Sequence, residues 1–154
     1  MNVEIEHKYL VVDASYKDLA LSKHYIKQGY LSRTPERTIR VRIYDDLGFV
    51  TIKSKNVGDT RREFEYEIPK SDAEQLIAMC EKPVIEKNRY LVSYVDHTWE
   101  VDEFLGDLSG ITIAEIELKN STENYAKPSF VGENVTGKLE YYNSNIHKLA
   151  KKES

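Results

Sequence analysis

The sequence predicts a β-rich α+β protein in which neighbouring strands are antiparallel. Eight segments alternate apolar and polar side chains with a period of two, and they are rich in the β-branched and aromatic residues that strands favour. Most connections between these segments are too short to contain a crossover helix, which favours antiparallel pairing. Three segments have helical features instead.

The predicted strands are separated by short turn signals such as DDLG, NVGD, VDH and GDLSG. The sequence has no repeat, low-complexity segment or long linker, and no composition shift that would mark a domain boundary. We predict strands at residues 3–11, 24–32, 37–45, 49–55, 61–69, 84–95, 97–104 and 112–120.

The three helical segments differ in their signals. Residues 71–80 begin with Ser71 and have Glu74 three positions later, which is the pattern of a capping box. A C-terminal helix is predicted with Asn143 as its cap and basic residues in its last turns. A short helix is predicted at residues 13–21, after the first strand.

Composition excludes several classes of function. The 154 residues are enough for one domain, and a formal net charge of −4 argues against a general nucleic-acid binder. The single cysteine, Cys80, rules out an intrachain disulfide and a four-cysteine zinc site. The N-terminus lacks a basic leader followed by an apolar run, and no stretch has membrane-spanning length, so we expect a cytoplasmic protein.

Charged residues share one face in strand after strand. In the first strand, VEIEHKYLV, the side chains of Glu4, Glu6 and Lys8 occupy alternate positions and so point the same way. In each of the other strands, alternate positions can likewise be assigned to one face or the other. The residues that fall on a corresponding charged face are Arg40, Arg42, Lys53, Arg61, Glu63, Glu65, Lys87, Arg89, Glu100, Asp102, Glu115 and Glu117.

Two interpretations of this charged face remain open on the pattern alone. An antiparallel sheet commonly packs one face on a core and exposes the other to water, and charges on a wet face are ordinary. Here, however, the charges sit at strand centres and their signs are grouped by strand. About eight strands can close into a barrel that holds a small ligand. A charged interior would then be water-filled and would suit phosphate chains bound with metal ions.

The chain resembles the CYTH superfamily, also called the triphosphate tunnel metalloenzymes. EIEHK matches the Glu-x-Glu-x-Lys signature at the N-terminus, and QGYLS, IRVR, TIK, REFEYEI, EKNRY, WEVDEF and AEIEL follow in family order. The segment FVGENVTGKLEYYNSNI resembles the closing segment of the family. The resemblance implies a single domain over residues 1–154, folded as an eight-stranded antiparallel closed tunnel with a charged lumen and a few peripheral helices.

The same resemblance implies roles for individual residues. Triphosphate binding falls to Lys8, Arg40, Arg42, Lys53, Lys87 and Arg89, since arginine donates two hydrogen bonds to one phosphate and lysine acts as a point charge. Metal binding falls to Glu4, Glu6, Asp102, Glu115 and Glu117, since hard divalent cations prefer oxygen ligands. Glu63 and Glu65 are further candidates, for the metal or for orienting the cations, and Arg61 and Glu100 are further site candidates without an assigned role.

The resemblance implies two catalytic candidates. Substitution of Lys8 is expected to affect turnover most, and Tyr30 would pair with Lys8. An ordinary strand aromatic remains the alternative for Tyr30.

The reaction implied by the resemblance is metal-dependent hydrolysis of a triphosphate, above all inorganic tripolyphosphate. A metal-activated water would attack the terminal phosphorus, with Mg²⁺ or Mn²⁺ as the cofactor. The alternatives are a class IV-type adenylate cyclase, a thiamine triphosphatase and a non-catalytic binder of polyphosphate or nucleotides. We expect a small-molecule triphosphate as the partner, with neither nucleic acid nor a membrane; whether two copies form a homodimer is left open.

Overall fold

The computed structural model describes residues 3–142 and 145–149. The strands in these ranges are β1 (Val3–Val11), β2 (Ser22–Ser32), β3 (Arg37–Tyr44), β4 (Leu47–Ser54), β5 (Thr60–Ile68), β6 (Glu81–Tyr94), β7 (His97–Phe104), β8 (Thr112–Glu117) and β9 (Val131–Asn134). The α-helices are α1 (Tyr16–Leu19) and α2 (Lys70–Ala78). Short 3-10 helices occur at Gly106–Leu108, Leu139–Tyr141 and Ile146–Leu149.

Eight of the strands close into a barrel. Their order around the sheet is β5-β4-β3-β2-β6-β7-β8-β1, and β1 returns to β5 to complete the circle. Every adjacent pair is antiparallel. The closing seam is short, with Val3, Glu4 and Ile5 opposite residues 60–62. This confirms the predicted eight-stranded antiparallel closed barrel.

The ninth strand, β9, was not predicted. It pairs with β1 beyond the seam, where Tyr9 lies opposite Asn134 and Val11 opposite Val131. With only four residues, including Gly132 and Asn134, it is too short to show a period of two. β9 therefore pairs with the later part of the β1 edge, which β5 does not reach.

The apolar faces of the strands point outward and are covered there. One cluster joins Trp99, Val101 and Ile116 from β7 and β8 to Tyr16 of α1 and to Phe130. A second cluster lies under α2, where its Ala73 and Ile77 pack on Val41 and Ile43 of β3, together with buried Cys80. Packing on the outside leaves the opposite faces of the strands to line the lumen.

A third cluster fills one end of the lumen with apolar side chains. Ile85, Phe104 and Ile113 have the same parity as the charged residues further along β6, β7 and β8. The chain closes this end from outside through Ile146, which is fully buried against the cluster. The barrel is therefore blocked at this end by apolar packing.

The predicted capping box of α2 is wrong. The helix begins at Lys70, and Pro69 is its N-cap, with no hydrogen bond from a side chain to the cap. The carbonyl oxygen of Pro69 accepts hydrogen bonds from Asp72 N and Ala73 N, both at 3.0 Å. Proline fixes a φ that suits the entry to a helix, so the first turn begins before Ser71 and places that residue inside it.

The other two helix predictions have different outcomes. The short helix after the first strand is confirmed by α1. The C-terminal helix is not an α-helix where the structure describes it, because residues 146–149 form a 3-10 turn. Its predicted cap, Asn143, and the residues from 150 onward lie outside the described ranges. In the described parts of the chain, the helices are too short or too polar to cross a membrane.

Candidate active site in the barrel lumen

The register of the strands brings the charged residues together. Directly opposite residues of an antiparallel pair share a face. Lys8 of β1 lies opposite Glu115 of β8, and Arg89 of β6 lies opposite Asp102 of β7. Four neighbouring strands therefore direct cations and carboxylates into the same space.

The lumen contains a cavity of about 360 Å³. The predicted site residues that line it are Glu4, Glu6, Tyr30, Arg40, Arg42, Lys53, Arg61, Glu63, Glu65, Arg89, Glu100, Glu115 and Glu117. Lys8, Lys87 and Asp102 are buried in the wall behind this surface. The charged faces of the strands thus point inward, which decides between the two interpretations of the sequence pattern.

Asp102 is engaged by two cations at the base of the cavity. Its side chain is 1% exposed, with Oδ2 2.7 Å from Lys87 Nζ and both oxygens bound by Arg89 at 2.8 and 2.9 Å. Burial raises the pKa of Asp102, but the charges of Arg89 and Lys87 outweigh it and lower the pKa to about 2. The carboxylate is therefore ionised, and it orients two cations predicted to bind phosphate.

Lys8 is buried in the wall near the C-terminal segment. Its Nζ donates to the Tyr141 carbonyl oxygen at 3.1 Å and lies 3.5 Å from Glu115 Oε1. It also lies 5.2 Å from the centre of the Tyr142 ring. Burial lowers the pKa of Lys8, but the charges of Glu115 and Glu6 together outweigh burial, so the net shift of the pKa is upward. The ammonium group is therefore charged and fixed on both sides.

Lys53 joins acids from two other strands at the barrel seam. Its Nζ lies 3.0 Å from Glu4 Oε1 and 3.1 Å from Glu63 Oε2. Arg61 Nε lies 3.4 Å from the same Glu4 oxygen. Although burial opposes it, the charge of Lys53 holds the pKa of Glu4 well below its usual range. Two cations thus keep Glu4 ionised beside the cavity.

Three arginines form the most cationic part of the wall. Arg40 Nη2 donates to Thr51 Oγ1 at 3.2 Å, whereas its buried Nε has no hydrogen-bond partner in the described structure. Arg42 Nε donates to Gln28 Oε1 at 2.8 Å. Burial, together with the like charges of Arg40 and Arg89, lowers the pKa of Arg42 to about 9. Like charges held together out of water favour a bound anion.

Glu6 and Glu115 form the acidic part of the wall. Burial and the charges of Glu115 and Glu4 raise the pKa of Glu6 to about 8. Burial raises the pKa of Glu115, but the charges of Lys8 and Arg89 lower it by more, so the net shift is downward. Both side chains line the cavity, and carboxylate oxygens are the ligands that a hard divalent cation prefers.

A complete metal centre is not preassembled from protein side chains alone. Across residues 3–142 and 145–149, no three His, Cys, Asp or Glu side chains are arranged to hold a metal ion. The donor set nevertheless fits Mg²⁺, which is usually bound by one or two carboxylates together with waters and substrate phosphates. Glu6 and Glu115, with Glu4 and Glu117 beside them in the lining, supply such carboxylates.

Apart from Tyr30, sequence reasoning missed the uncharged residues of the cavity. The lining includes Thr38, Tyr44, Leu47 and Phe49 in addition to the predicted residues, and Gln28 and Thr51 lie behind it as acceptors for arginine. Most share the parity of the charged residues on their strands, so the rule that found the charges also applies to them. Tyr44, Leu47 and Phe49 give one side of the cavity an apolar surface.

Tyr30 lies at the boundary between the cavity and the apolar cluster that blocks the lumen. It lines the cavity and packs with Ile85 and Phe104. The Arg33 guanidinium lies 5.4 Å from the centre of its ring. Where the chain is described, no hydrogen bond joins Tyr30 to Lys8, whose Nζ donates to the Tyr141 carbonyl oxygen instead. A catalytic role of Tyr30 stays a prediction.

Comparison with known proteins gives concordant similarities. Residues 2–151 match the model of the CYTH domain family. Two curated proteins named inorganic triphosphatase are similar to this chain. The one from Acetivibrio thermocellus is 45% identical over 96% of this chain and 95% of that protein. The one from Nitrosomonas europaea is 34% identical over 93% of this chain and 95% of that protein. A crystal structure of an inorganic triphosphatase is 30% identical, covers 93% of each chain and has a TM-score of 0.64.

Proposed function

The chain belongs to the CYTH domain family, and we propose that it is an inorganic triphosphatase. In this proposal the whole chain, residues 1–154, is one CYTH domain that hydrolyses tripolyphosphate to pyrophosphate and orthophosphate with a divalent metal ion. The two curated relatives of that name support the substrate, because each is similar over nearly its whole length.

The observation that carries the proposal is the division of one cavity into a cationic and an acidic side. Arg40, Arg42 and Arg89 supply planar donors that match phosphate oxygens. Glu6 and Glu115 supply carboxylates on the other side. A triphosphate carrying a metal ion has the complementary distribution of charge.

The chain's own residues would position the substrate. The three arginines and Lys53 bind phosphate oxygens at the cavity surface, and their charges are already in place before charge develops in the transition state. Lys87 is fully buried against Asp102 behind the wall, so any effect it has on the substrate is electrostatic; burial lowers its pKa to about 7, although the charge of Asp102 opposes this shift. Lys8 is held near Glu115 and is proposed to contribute to turnover.

Glu4, Glu6, Glu115 and Glu117 are proposed to hold Mg²⁺ or Mn²⁺ together with oxygens of the substrate. When bound, such an ion neutralises phosphate oxygens and lowers the pKa of water. Asp102, predicted from the sequence as a further ligand, is proposed instead to act by orienting Arg89 and Lys87, because it is buried behind the cavity surface that Glu4 lines and both of its oxygens are already bound.

A substrate comparison tests the proposal. Purified protein is incubated with tripolyphosphate, ATP or thiamine triphosphate, each with Mg²⁺ or Mn²⁺, and orthophosphate and cyclic AMP are measured. We expect orthophosphate from tripolyphosphate at a rate well above that from the two organic substrates. The organic triphosphates are included because Tyr44 and Phe49 give the cavity an aromatic surface.

The other outcomes identify the competing functions. Cyclic AMP from ATP would indicate an adenylate cyclase, and faster release from thiamine triphosphate would indicate that substrate. Tight binding of tripolyphosphate without turnover under any of these conditions would indicate a binding protein. Each of these results would contradict the proposed inorganic triphosphatase.

A further inference from the structure

The cations of the cavity differ in what neutralises their charge. Arg40, Lys53 and Arg89 each form an ion pair with a carboxylate, at 3.7, 3.0 and 2.8 Å respectively. Arg42 differs from them: among the residues that the structure describes, no carboxylate pairs with its guanidinium. Its charge is therefore the least compensated of these four.

The one hydrogen-bond acceptor that Arg42 has in the described chain is Gln28. The two residues lie directly opposite each other in the β2–β3 pairing, so their side chains share the lumen face. Gln28 Oε1 accepts from Arg42 Nε at 2.8 Å, and the amide is completely buried. This bond fixes the plane of the guanidinium and leaves both terminal amino groups without a described protein acceptor.

A neutral acceptor and a carboxylate would affect Arg42 differently. Either can receive the Nε–H, but a carboxylate at this short distance would also cancel the charge. Burial and the like charges of Arg40 and Arg89 lower the pKa of Arg42, and Asp102, which is already paired with Arg89 and Lys87, offsets them only in part. An anionic oxygen in the cavity would relieve the repulsion between these like charges.

We propose that Gln28 is a positioning residue that orients Arg42 without neutralising it, so that Arg42 binds a phosphoryl group of the substrate with its full charge. The inference rests on the proposed function, because it requires a polyanionic phosphate ligand. Gln28 is uncharged, and in this inference it acts on the substrate only through its hydrogen bond to Arg42.

Two substitutions at Gln28 separate charge from geometry. Gln28→Glu keeps the acceptor and introduces a negative charge, whereas Gln28→Met keeps the length of the side chain and removes the acceptor. We expect Gln28→Glu to weaken tripolyphosphate binding at least about tenfold, and Gln28→Met to weaken it less. Binding is measured by titration calorimetry in EDTA, where the proposed metal-dependent hydrolysis does not occur, and KM and kcat are measured in parallel with Mg²⁺.

A purely structural role predicts the reverse order, because glutamate accepts an arginine hydrogen bond at least as well as glutamine. Equal binding by Gln28→Glu and the wild type, or a larger loss in Gln28→Met, would overturn the proposal. The matched control is Gln75→Glu, the same change on the exposed side of α2, which should bind like the wild type.

A second pair of variants keeps the test decisive if Gln28→Glu does not fold. Arg42→Met should weaken tripolyphosphate binding more than Arg40→Met, since the Arg40 charge is already shared with Glu65. Equal or reversed losses would also overturn the proposal. Thermal melting of each variant identifies any that is unfolded.

The binding measurement also separates this inference from the proposed function. If the wild type hydrolyses tripolyphosphate and Gln28→Glu binds it normally, the inference alone fails. If the wild type binds tripolyphosphate without hydrolysing it and Gln28→Glu binds weakly, the proposed function alone fails. Absence of binding by the wild type would refute both.

Discussion

Arg89 and Asp102 form a two-point ion pair in the wall of the barrel, with Nε 2.8 Å from Oδ1 and Nη2 2.9 Å from Oδ2. The remaining terminal amino group, Nη1, lies 2.8 Å from Glu100 Oε2. Because Asp102 also accepts Lys87, a single buried carboxylate fixes two cations relative to each other. Removing its charge should therefore disturb more than one residue.

Asp102→Asn should lower the free energy of unfolding by about 3 kcal/mol, since it leaves Arg89 and Lys87 buried with less compensation. Urea denaturation in EDTA measures the change. Glu100→Gln is the matched control, because it removes the other partner of Arg89 at a more exposed position, where a pair contributes about 1 kcal/mol or less. Equal losses in the two variants would contradict the anchoring role of Asp102.

The strands and the charged face could be predicted from the sequence because both depend on a period of two. Each strand from 3–11 to 112–120 is present, with ends shifted by a few residues. Whether the charges face a lumen or bulk water could not be decided from the pattern, because both arrangements show the same parity. The resemblance to a family, and then the closed circle of strands, decided it.

The site was predictable as a set of residues but less so in its detailed contacts. Lys8, Lys87 and Asp102 have the right parity, yet they lie behind the surface because neighbouring side chains cover them. Gln28 carries no charge, so nothing in the pattern marked it as a partner of Arg42. Depth within a barrel wall and the choice of hydrogen-bond partner depend on packing among strands distant in sequence.

Glu6→Gln should abolish most hydrolysis while leaving the fold intact. The amide has the size and shape of the carboxyl group but offers a divalent cation a much weaker ligand. We expect turnover of tripolyphosphate to fall at least about 100-fold, with an unchanged circular dichroism spectrum and melting temperature. Glu74→Gln, on the exposed side of α2, is the control and should hydrolyse at the wild-type rate. Near-normal turnover in Glu6→Gln would refute its proposed place at the metal.

Lys8→Met tests the proposed contribution of the buried ammonium to turnover. Since Lys8 Nζ is held by Glu115 and the Tyr141 carbonyl, its charge is fixed before the reaction begins. Loss of a preorganised charge of this kind costs about 100-fold or more in kcat. We expect that loss in steady-state kinetics, with a smaller change in KM. Lys55→Met, at an exposed position, should change neither parameter. A variant with a raised KM and an unchanged kcat would assign Lys8 to binding instead.

The ion pair between His97 and Glu123 should make stability depend on pH. Nε2 and Oε2 lie 2.6 Å apart, and the hydrogen bond to Glu123 raises the pKa of His97 above its unfolded value of 6.5. A raised histidine pKa stabilises the fold below the unfolded value, and this contribution is lost as pH rises through the folded value. Glu123→Gln should therefore lower the melting temperature more at pH 5.5 than at pH 8.5. A difference independent of pH would show that the pair contributes no charge interaction.

The last described turn of the chain should contribute to stability by closing the lumen. Ile146 is fully buried against Tyr30, Ile85, Phe104 and Ile113, so Ile146→Ala removes apolar contacts and leaves a cavity. We expect the free energy of unfolding to fall by about 2–4 kcal/mol in urea denaturation. Leu149→Ala, at a partly buried position beside the same cluster, should cost less.

Deletion of the chain from Asn143 onward extends this test to the substrate. It removes Ile146 and follows directly on Tyr141 and Tyr142, which contact Lys8. We therefore expect the truncated protein to be less stable and to have a higher KM for tripolyphosphate, because water would enter the apolar end and Lys8 would lose its fixed position. If stability and KM both matched the wild type, the lumen would have to be closed by the strands alone, and Ile146 would merely cover a surface that is already complete.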